Sequence, residues 1–451
     1  MSPTNVLIYF LFAFLCMVYT FSKVGINRMS ILMVLVFWEG LFDYLGVLSI
    51  YKIGIVVFAS ALLGGNNIRL FKNKNDFVVN IAFILFTFAF WISYYIYGGS
   101  ISTMLSQYLY KYAFLWIAFH YFKDITHNIS KREYVKNMLM TILYTQISIS
   151  IVKIILFRFE IEGLVGSMSY GGGGPAVVVP IVSLIFYWLI RNGSFNKKDW
   201  IIVLLIMTIS IASGKRQPIV FFPAILVALF VFVSQSARFS SLLKYIPIAF
   251  TVFYIGVRMT STFTPEKVVG GRFDISFVTG YVLKYYFGTN EISEIIKGDY
   301  QGVGRGAGVL LYFKPRMLTL STDKELLFGK GLYDVAIQKY GRFTAGGTRS
   351  NYGIQHSGLI GAAGELIYSM GYLSTIFLLF LSAKIIFSMK NKRLAWVMYL
   401  YFLWDFLFYY NQMLFFNSSG LVVLITIFYA NSYELEKKRY LNHSFRTAKS
   451  Q

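Results

Sequence analysis

The stretch Phe77–Tyr97 reads FVVNIAFILFTFAFWISYYIY, twenty-one residues without one Asp, Glu, Lys or Arg. A helix needs about 20 such residues to cross the roughly 30 Å hydrocarbon core of a bilayer. The segment therefore predicts a membrane-spanning helix, and the same reading repeats on both sides of it. Upstream lie the apolar runs Thr4–Phe21, Met29–Ile50 and Ile53–Leu63. Downstream lie Met104–Phe122, Asn137–Phe157, Pro175–Ile190, Trp200–Ser213, Pro218–Val233, Leu242–Val257, Gly364–Met389, Leu394–Phe416 and Ser419–Ser432. The expected fold is all-α, a polytopic integral membrane protein of about 12–13 transmembrane helices with no soluble domain of its own. Several runs are shorter than a straight span, so short or broken helices are expected.

Composition agrees. Hydrophobic residues make up 57% of the 451 and charged residues 14%, against about a quarter charged in a soluble chain. So much apolar surface exceeds what one globular core hides, and it is expected to face the lipid bilayer. The one cysteine, Cys16, cannot close an internal disulfide, and no Cys/His cluster suggests a metal centre, so no metal and no cofactor are expected. The first apolar run lacks a small-residue cleavage site and reads as a membrane helix rather than a removable signal. The net charge of +22 does not indicate nucleic acid, because many of its cations sit in short connectors between apolar runs.

Those connectors orient the chain. Asn66–Asp76, Lys123–Lys136, Arg191–Asp199, Ser234–Ser241, Lys390–Arg393 and the carboxyl tail hold nineteen basic residues and fall on one side when spans are counted; the short connectors opposite hold four, Lys52, Arg158, Lys215 and Arg216. The excess of Lys and Arg marks the cytoplasmic side. The carboxyl terminus is then cytoplasmic, and residues 259–363, a connector on the order of a hundred residues, lie outside as a large extracytoplasmic loop. Loops of that length are usually functional. If Ile53–Leu63 spans, there are thirteen helices and the amino terminus is outside, as Lys23 and Arg28 favour; if it is re-entrant, as its shortness favours, there are twelve and the terminus is inside.

The sharpest local feature is Ser213-Gly214-Lys215-Arg216-Gln217-Pro218. Two adjacent cations occupy a tight turn on the side where short connectors hold few, with Pro218 suited to the first turn of the next helix. Cations there attract phosphate, and arginine grips it with two parallel bonds; the competing reading is two side chains snorkelling to the interface. The second feature closes the long loop: Gly329-Lys330-Gly331 … Arg349 … His356-Ser357-Gly358 … Gly364-Glu365 … Gly371-Tyr372. His356 is a candidate general base and otherwise a polar surface residue. Glu365, at the start of an apolar helix, is placed to orient His356 or a sugar hydroxyl, or to serve as a simple cap interaction. Arg272, Arg305, Arg342 and Arg349 are further candidates for phosphate contact. A helix-like pattern runs over Phe277–Ile296. The glycine-rich Gly302–Gly308 follows no predicted strand and reads as a turn rather than a nucleotide fingerprint.

Charges inside spans are expensive and often functional. Glu39 and Asp43 share a helix face, as either a cation site or a polar interhelical contact. Lys111, Lys153 and Asp405 stand isolated in the sequence, and Lys384 is close enough to a span end to snorkel. No Asp-x-Asp, Walker or Ser-His-Asp signature is present.

Many spans, an outer Ser-Gly-Lys-Arg turn and a large outer loop ending in Gly-x-Gly … His-Ser-Gly … Gly-Glu … Gly-Tyr give the chain its resemblance to the O-antigen polymerase and O-antigen ligase superfamily. The layout matches over most of the chain, the motifs over Ser213–Arg216 and Gly329–Tyr372 alone. The resemblance implies a metal-independent, inverting membrane glycosyltransferase of the GT-C type in the bacterial inner membrane, with an extracytoplasmic active site. Its substrates would be undecaprenyl-diphosphate-linked oligosaccharides. A polymerase transfers the glycan to the hydroxyl of another lipid-linked repeat unit, building O-antigen, capsule or exopolysaccharide; a ligase transfers it to lipid A core. By motif, Arg216 would contact diphosphate with Lys215 beside it, and Arg272, Arg342 and Arg349 would compete for the second arginine. His356 would serve the acceptor hydroxyl. Ser357, where many ligases carry Asn, leans toward polymerase. A chain-length regulator is a candidate partner. The rival classes are a lipid-linked oligosaccharide flippase or other transporter, for which Glu39 and Asp43 speak, and a non-catalytic assembly protein.

Overall fold

The computed structural model describes residues 28–44, 55, 74–97, 101, 105, 108–125, 129–157, 166–168, 174–212, 217–234, 239–287, 309, 322–329, 361–409 and 418–432. Every regular element among them is helical. In order they are α1 (Arg28–Phe37), α2 (Glu39–Tyr44), α3 (Lys74–Tyr97), a π turn (Tyr108–Ala113) running into α4 (Phe114–Ile125), α5 (Ile129–Phe157), α6 (Gly174–Ile190) and α7 (Lys197–Ala212). Next come α8 (Gln217–Val227), extended by a π turn (Ala228–Val233), α9 (Phe239–Arg258), α10 (Ile275–Phe287), α11 (Asp323–Phe328), α12 (Ala362–Phe387), α13 (Lys392–Phe408) and α14 (Ser418–Ser432). Three of these helices contain stretches long and apolar enough to cross a membrane, Asp76–Ile96, Ile129–Leu156 and Ser369–Phe387, and several shorter apolar helices accompany them. The all-α class read from the sequence is what the described residues have, and three of their helices are long and apolar enough for the membrane reading. The runs Thr4–Phe21 and Ile53–Leu63 and the glycine-rich Gly302–Gly308 lie outside the described residues, apart from Ile55.

The opening stretch shows what a lipid-facing helix would look like. Phe77, Ile81, Ile84, Phe88, Ile92 and Tyr95 recur at helical spacing along one side of α3, and Phe88 is 64% exposed. In water such a stripe would be a large uncovered apolar patch; against hydrocarbon it costs nothing. The opposite side of α3, with Ala82, Phe86, Phe90 and Ser93, is buried, and this helix packs along α12. α6 is buried along nearly all its length, with α7 and α8 packed on it and Phe186 against Tyr429 of α14.

The contacts also sort the connectors. α8 and α13 run antiparallel, because Gln217 meets Asp405 where α8 starts while Arg393 donates to the Phe232 carbonyl where its π turn ends. Beside Phe232, Phe230 packs on Phe195 of the Arg191–Asp199 connector and on Trp200 in the first turn of α7. The Lys390 amide bonds to Asn431, and Arg132 lies over the Tyr429 ring at 5.9 Å. These basic connectors gather at one end of the bundle. The far end holds the start of α8, the start of α12 and the end of α13.

Two helices depart from the expected runs. The run Met29–Ile50 is broken at Trp38, with α1 before it and α2 after it. Leu394–Phe416 stops as a helix at Phe408, because Tyr409 turns extended (φ −128, ψ 166) and presents its carbonyl to the Ala362 amide at 2.6 Å. The helix expected over Phe277–Ile296 begins at Ile275 and is described as far as Phe287.

Candidate functional site

The far end is built from pieces widely separated in sequence. Pro218 sits in the first turn of α8, where its missing amide costs nothing, and Gln217 opens that helix. Its amide nitrogen donates to the Asp405 carboxylate at 3.4 Å, with both residues buried. Phe221, one turn on, packs against the rings of Tyr401 and Trp404 at 5.5 and 5.3 Å. Asp405 and Tyr409 are one helical turn apart on α13, joined by the Tyr409 amide to Asp405 carbonyl bond of 3.0 Å. Tyr409 in turn holds Ala362, the first residue of α12. So the residue after Lys215-Arg216 and the helix that follows His356-Ser357-Gly358 are fixed to one turn of α13, about 5.4 Å long.

A third piece joins on the other flank of α8. Ile219 clusters with Val257 of α9, Phe263 of the 3-10 turn and Val278 of α10. This seats the Thr264–Asp274 hairpin beside the start of α8. Arg258 closes the hairpin by donating to the carbonyls of Gly271 at 3.1 Å and Gly270 at 2.6 Å. Arg272 projects from it with a 71% exposed side chain, 4.0 Å from Glu266 and 3.7 Å from Asp274. The Glu266 carboxyl is held below its ordinary value, first by its own backbone amide and next by that of Arg272, while the guanidinium contributes less. An arginine this exposed, beside two carboxylates in solvent, is weakly held and free to exchange them for a phosphate.

The fourth piece is α11, from within the 259–363 connector. A capping box starts it: the Thr322 hydroxyl accepts from the Glu325 amide and the Glu325 carboxylate accepts from the Thr322 amide. Its end lies against a break in α12, where Gly371 adopts φ 75, ψ 177. Gly329 has φ 74, ψ −158 and faces the Ser369–Met370 backbone, while Gly371 faces the Leu327–Phe328 backbone. A Cβ on either would overlap those atoms. The Ser93 hydroxyl of α3 donates to the Phe328 carbonyl at 2.7 Å. Gly329 and Gly371, which lie at opposite ends of the second sequence motif, are thus brought together, each facing backbone within three residues of the other.

Of the residues singled out in the sequence, Arg272 is described in full. Glu365 lies in the first turns of α12, and its side chain is outside the described residues, as are Lys215, Arg216, Arg305, Arg342, Arg349 and His356. The structure adds Gln217 and Asp405. The sequence signal for Gln217 was its place directly after Arg216, and for Asp405 a carboxylate alone in an apolar run. Lys153 proves not to be isolated: its ammonium donates to the Gly166 carbonyl at 2.6 Å. The following Ser167 is held by Gln146 at 2.7 Å and by the Phe37 carbonyl at 3.0 Å. Glu39 starts α2 beside this turn, where the Gly40 amide donates to the Ser167 carbonyl, and Lys384 rests over the Phe380 ring at 5.1 Å. Among the described residues no group of His, Cys, Asp and Glu could hold a metal ion.

No protein-family model matches this chain, and comparison with curated proteins and with solved structures finds no significant similarity.

Proposed function

We propose that the chain is a bacterial surface-polysaccharide polymerase of the inner membrane, which transfers an undecaprenyl-diphosphate-linked glycan to the hydroxyl of another lipid-linked repeat unit. The observation that supports this reading is the shared anchor on α13. It draws Gln217, which follows the dibasic turn in sequence, and Ala362, which follows the histidine motif, to the same end of the bundle, away from the basic connectors. With those connectors in the cytoplasm, the site faces outward and the carboxyl terminus inward.

In the proposed reaction, the acceptor oxygen attacks the anomeric carbon of the donor sugar. The bond from that carbon to the diphosphate oxygen breaks with inversion, and the acceptor proton passes to His356. Undecaprenyl diphosphate leaves as an anion. Its charge is the main barrier to be lowered, and fixed cations at a lipid boundary do this as an oxyanion site does. Arg216 and Lys215 would take that role, joined by Arg272 from the adjoining hairpin or by Arg305, Arg342 or Arg349. The test is reconstitution of the purified protein with lipid-linked repeat units. A ladder of polymer, formed in the presence of chelator, is expected. Single units left unextended in a competent assay would refute the reading, and transfer to lipid A core alone would make the protein a ligase.

A further inference from the structure

We infer that the Thr264–Asp274 hairpin and the first turn of α10 rest on the bilayer surface, where Lys267 and Arg272 take phospholipid headgroup phosphate while Val268 and Ile275 enter the hydrocarbon boundary. This rests on the reading of α9 as a helix in the membrane, not on the polymerase reading. α9 carries a stripe of exposed apolar side chains, Ile246, Phe250 and Ile255, which in a bilayer would face lipid. The chain does not lead straight away from that stripe. Arg258, at the end of α9, bonds to the Gly270 and Gly271 carbonyls. Phe273 then turns back along the helix onto Phe250, Phe253 and Tyr254, with ring centroids 6.0, 6.3 and 5.0 Å apart. Phe250 lies eight residues before Arg258, about 12 Å down the helix.

Phe273 thus covers part of the stripe, and Ile275, two residues on, is 57% exposed. From there α10 climbs. Val278 clusters with Val257, and the Tyr281 ring meets that of Phe263, beyond the end of α9, at 5.3 Å. The hairpin and α10 therefore come deepest at Phe273–Ile275. Asp274, at that depth, accepts from the Phe277 amide at 3.0 Å and caps α10. The exposed side chains around it are of two kinds, apolar Val268 and Ile275 and cationic Lys267 and Arg272. Water suits the second kind and hydrocarbon the first; the headgroup layer accommodates both. Lys267 keeps its cation at φ 56, a left-handed conformation that costs any residue with a side chain. Four cations, Arg258, Lys267, Arg272 and Lys284, stand against two carboxylates, Glu266 and Asp274, between positions 258 and 284. The segment is therefore attracted to anionic headgroups.

The test uses the full chain in a Cys16→Ser background, with a nitroxide on Ile275→Cys or Leu283→Cys. Each protein is reconstituted into phosphatidylglycerol vesicles that hold no polyprenyl carrier, so bilayer phosphate is the one lipid phosphate present. Leu283 is 52% exposed two turns further along α10, and the two labels should differ in depth by up to about 12 Å. Oxygen, which dissolves in hydrocarbon, should relax the label at position 275 more than a water-soluble nickel chelate does, and the order should reverse at position 283. Vesicles of galactolipid, which carries no phosphate, should shift the label at position 275 toward water. Lys267→Gln combined with Arg272→Gln should weaken phosphatidylglycerol retention by the detergent-solubilised protein about five- to thirtyfold. The inference is overturned if the chelate reaches both labels equally, which puts the hairpin in water. It is overturned if the label at position 275 is shielded from both relaxants, since another segment or a second copy would then cover it. Retention unchanged by the double variant, or lipid displaced by inorganic phosphate, overturns it as well, the latter by revealing a small-anion site. None of these readouts depends on polymer being made.

Discussion

Replacing Gly371 by alanine should release α11 from α12. Gly371 sits at φ 75, ψ 177, a region occupied almost only by glycine, and a side chain there costs about 1–3 kcal/mol. The new Cβ would also overlap Leu327 and Phe328, so α11 must move away. That movement breaks the bond from Ser93 to the Phe328 carbonyl, worth about 0.5–1.5 kcal/mol. Together these give about 2–4 kcal/mol against the docked state, or roughly 30- to 700-fold in its opening equilibrium. Amide exchange at Leu326 and Gly329, whose N–H groups bond within α11, reads that equilibrium directly. Gly280→Ala is the control. It lies in α10 with no atom within 4 Å of the added Cβ, so it should be neutral or stabilising by up to about 1 kcal/mol. Exchange in Gly371→Ala within threefold of wild type would refute the reasoning.

Arg216→Ala should abolish polymer while the protein still accumulates in the membrane, and Arg216→Lys should restore part of it, since lysine lacks the planar fork; polymer profiles of complemented cells check both. His356→Ala should slow extension about a hundred- to ten-thousandfold and spare binding of undecaprenyl diphosphate, and full activity would move suspicion to Glu365. In a Cys16→Ser background, a cysteine near Asp299 should react with an impermeant reagent in intact cells and one near Arg393 should not; the reverse pattern would overturn the topology. The depressed Glu266 carboxyl implies that its grip on the Arg272 amide is complete above the ordinary glutamate value of about 4.3 and fades only as pH falls through a lower one. Exchange at Arg272 should therefore stay slow to below about pH 4.3, and Glu266→Gln should remove the acid step.

The helices were legible because hydrocarbon imposes a length and an absence of charge that survive in the sequence without any partner. Breaks were not. Trp38 and Gly371 interrupt apolar runs because of what lies beside them, the Ser167 turn in one case and α11 in the other, and those neighbours are remote in sequence. The same holds for polar pairs. Lys153 and Asp405 read as solitary charges since Gly166 and Gln217 become partners only through packing. Glycines at the two ends of the second motif could be seen, but not that each packs against the backbone beside the other. Arg272 could be named, but not that the Ile219 cluster seats the segment carrying it beside the start of α8.

Helix length carries a consequence for the surrounding bilayer. α13 and the stretch Gln217–Val233 are each 17 residues, about 25 Å of helix, and both present side chains outward through Val220, Phe232, Trp396 and Leu400. If both cross a bilayer, whose ordinary hydrocarbon core is about 30 Å thick, the lipids along this side would thin by about 5 Å, at a fraction of a kcal/mol for each ångström. α3, with 24 residues, imposes no such demand on its own lipid face and is accommodated by tilting. On that reading the molecule would form a step in membrane thickness, with headgroups drawn down beside α8 and α13 and left at their usual height beside α3. Under the proposed function, a polyprenyl carrier diffusing along the thinned side would present its diphosphate lower, nearer the first turn of α8. Reconstitution into lipids of shorter acyl chain should accordingly favour the protein's active arrangement, and longer chains should oppose it.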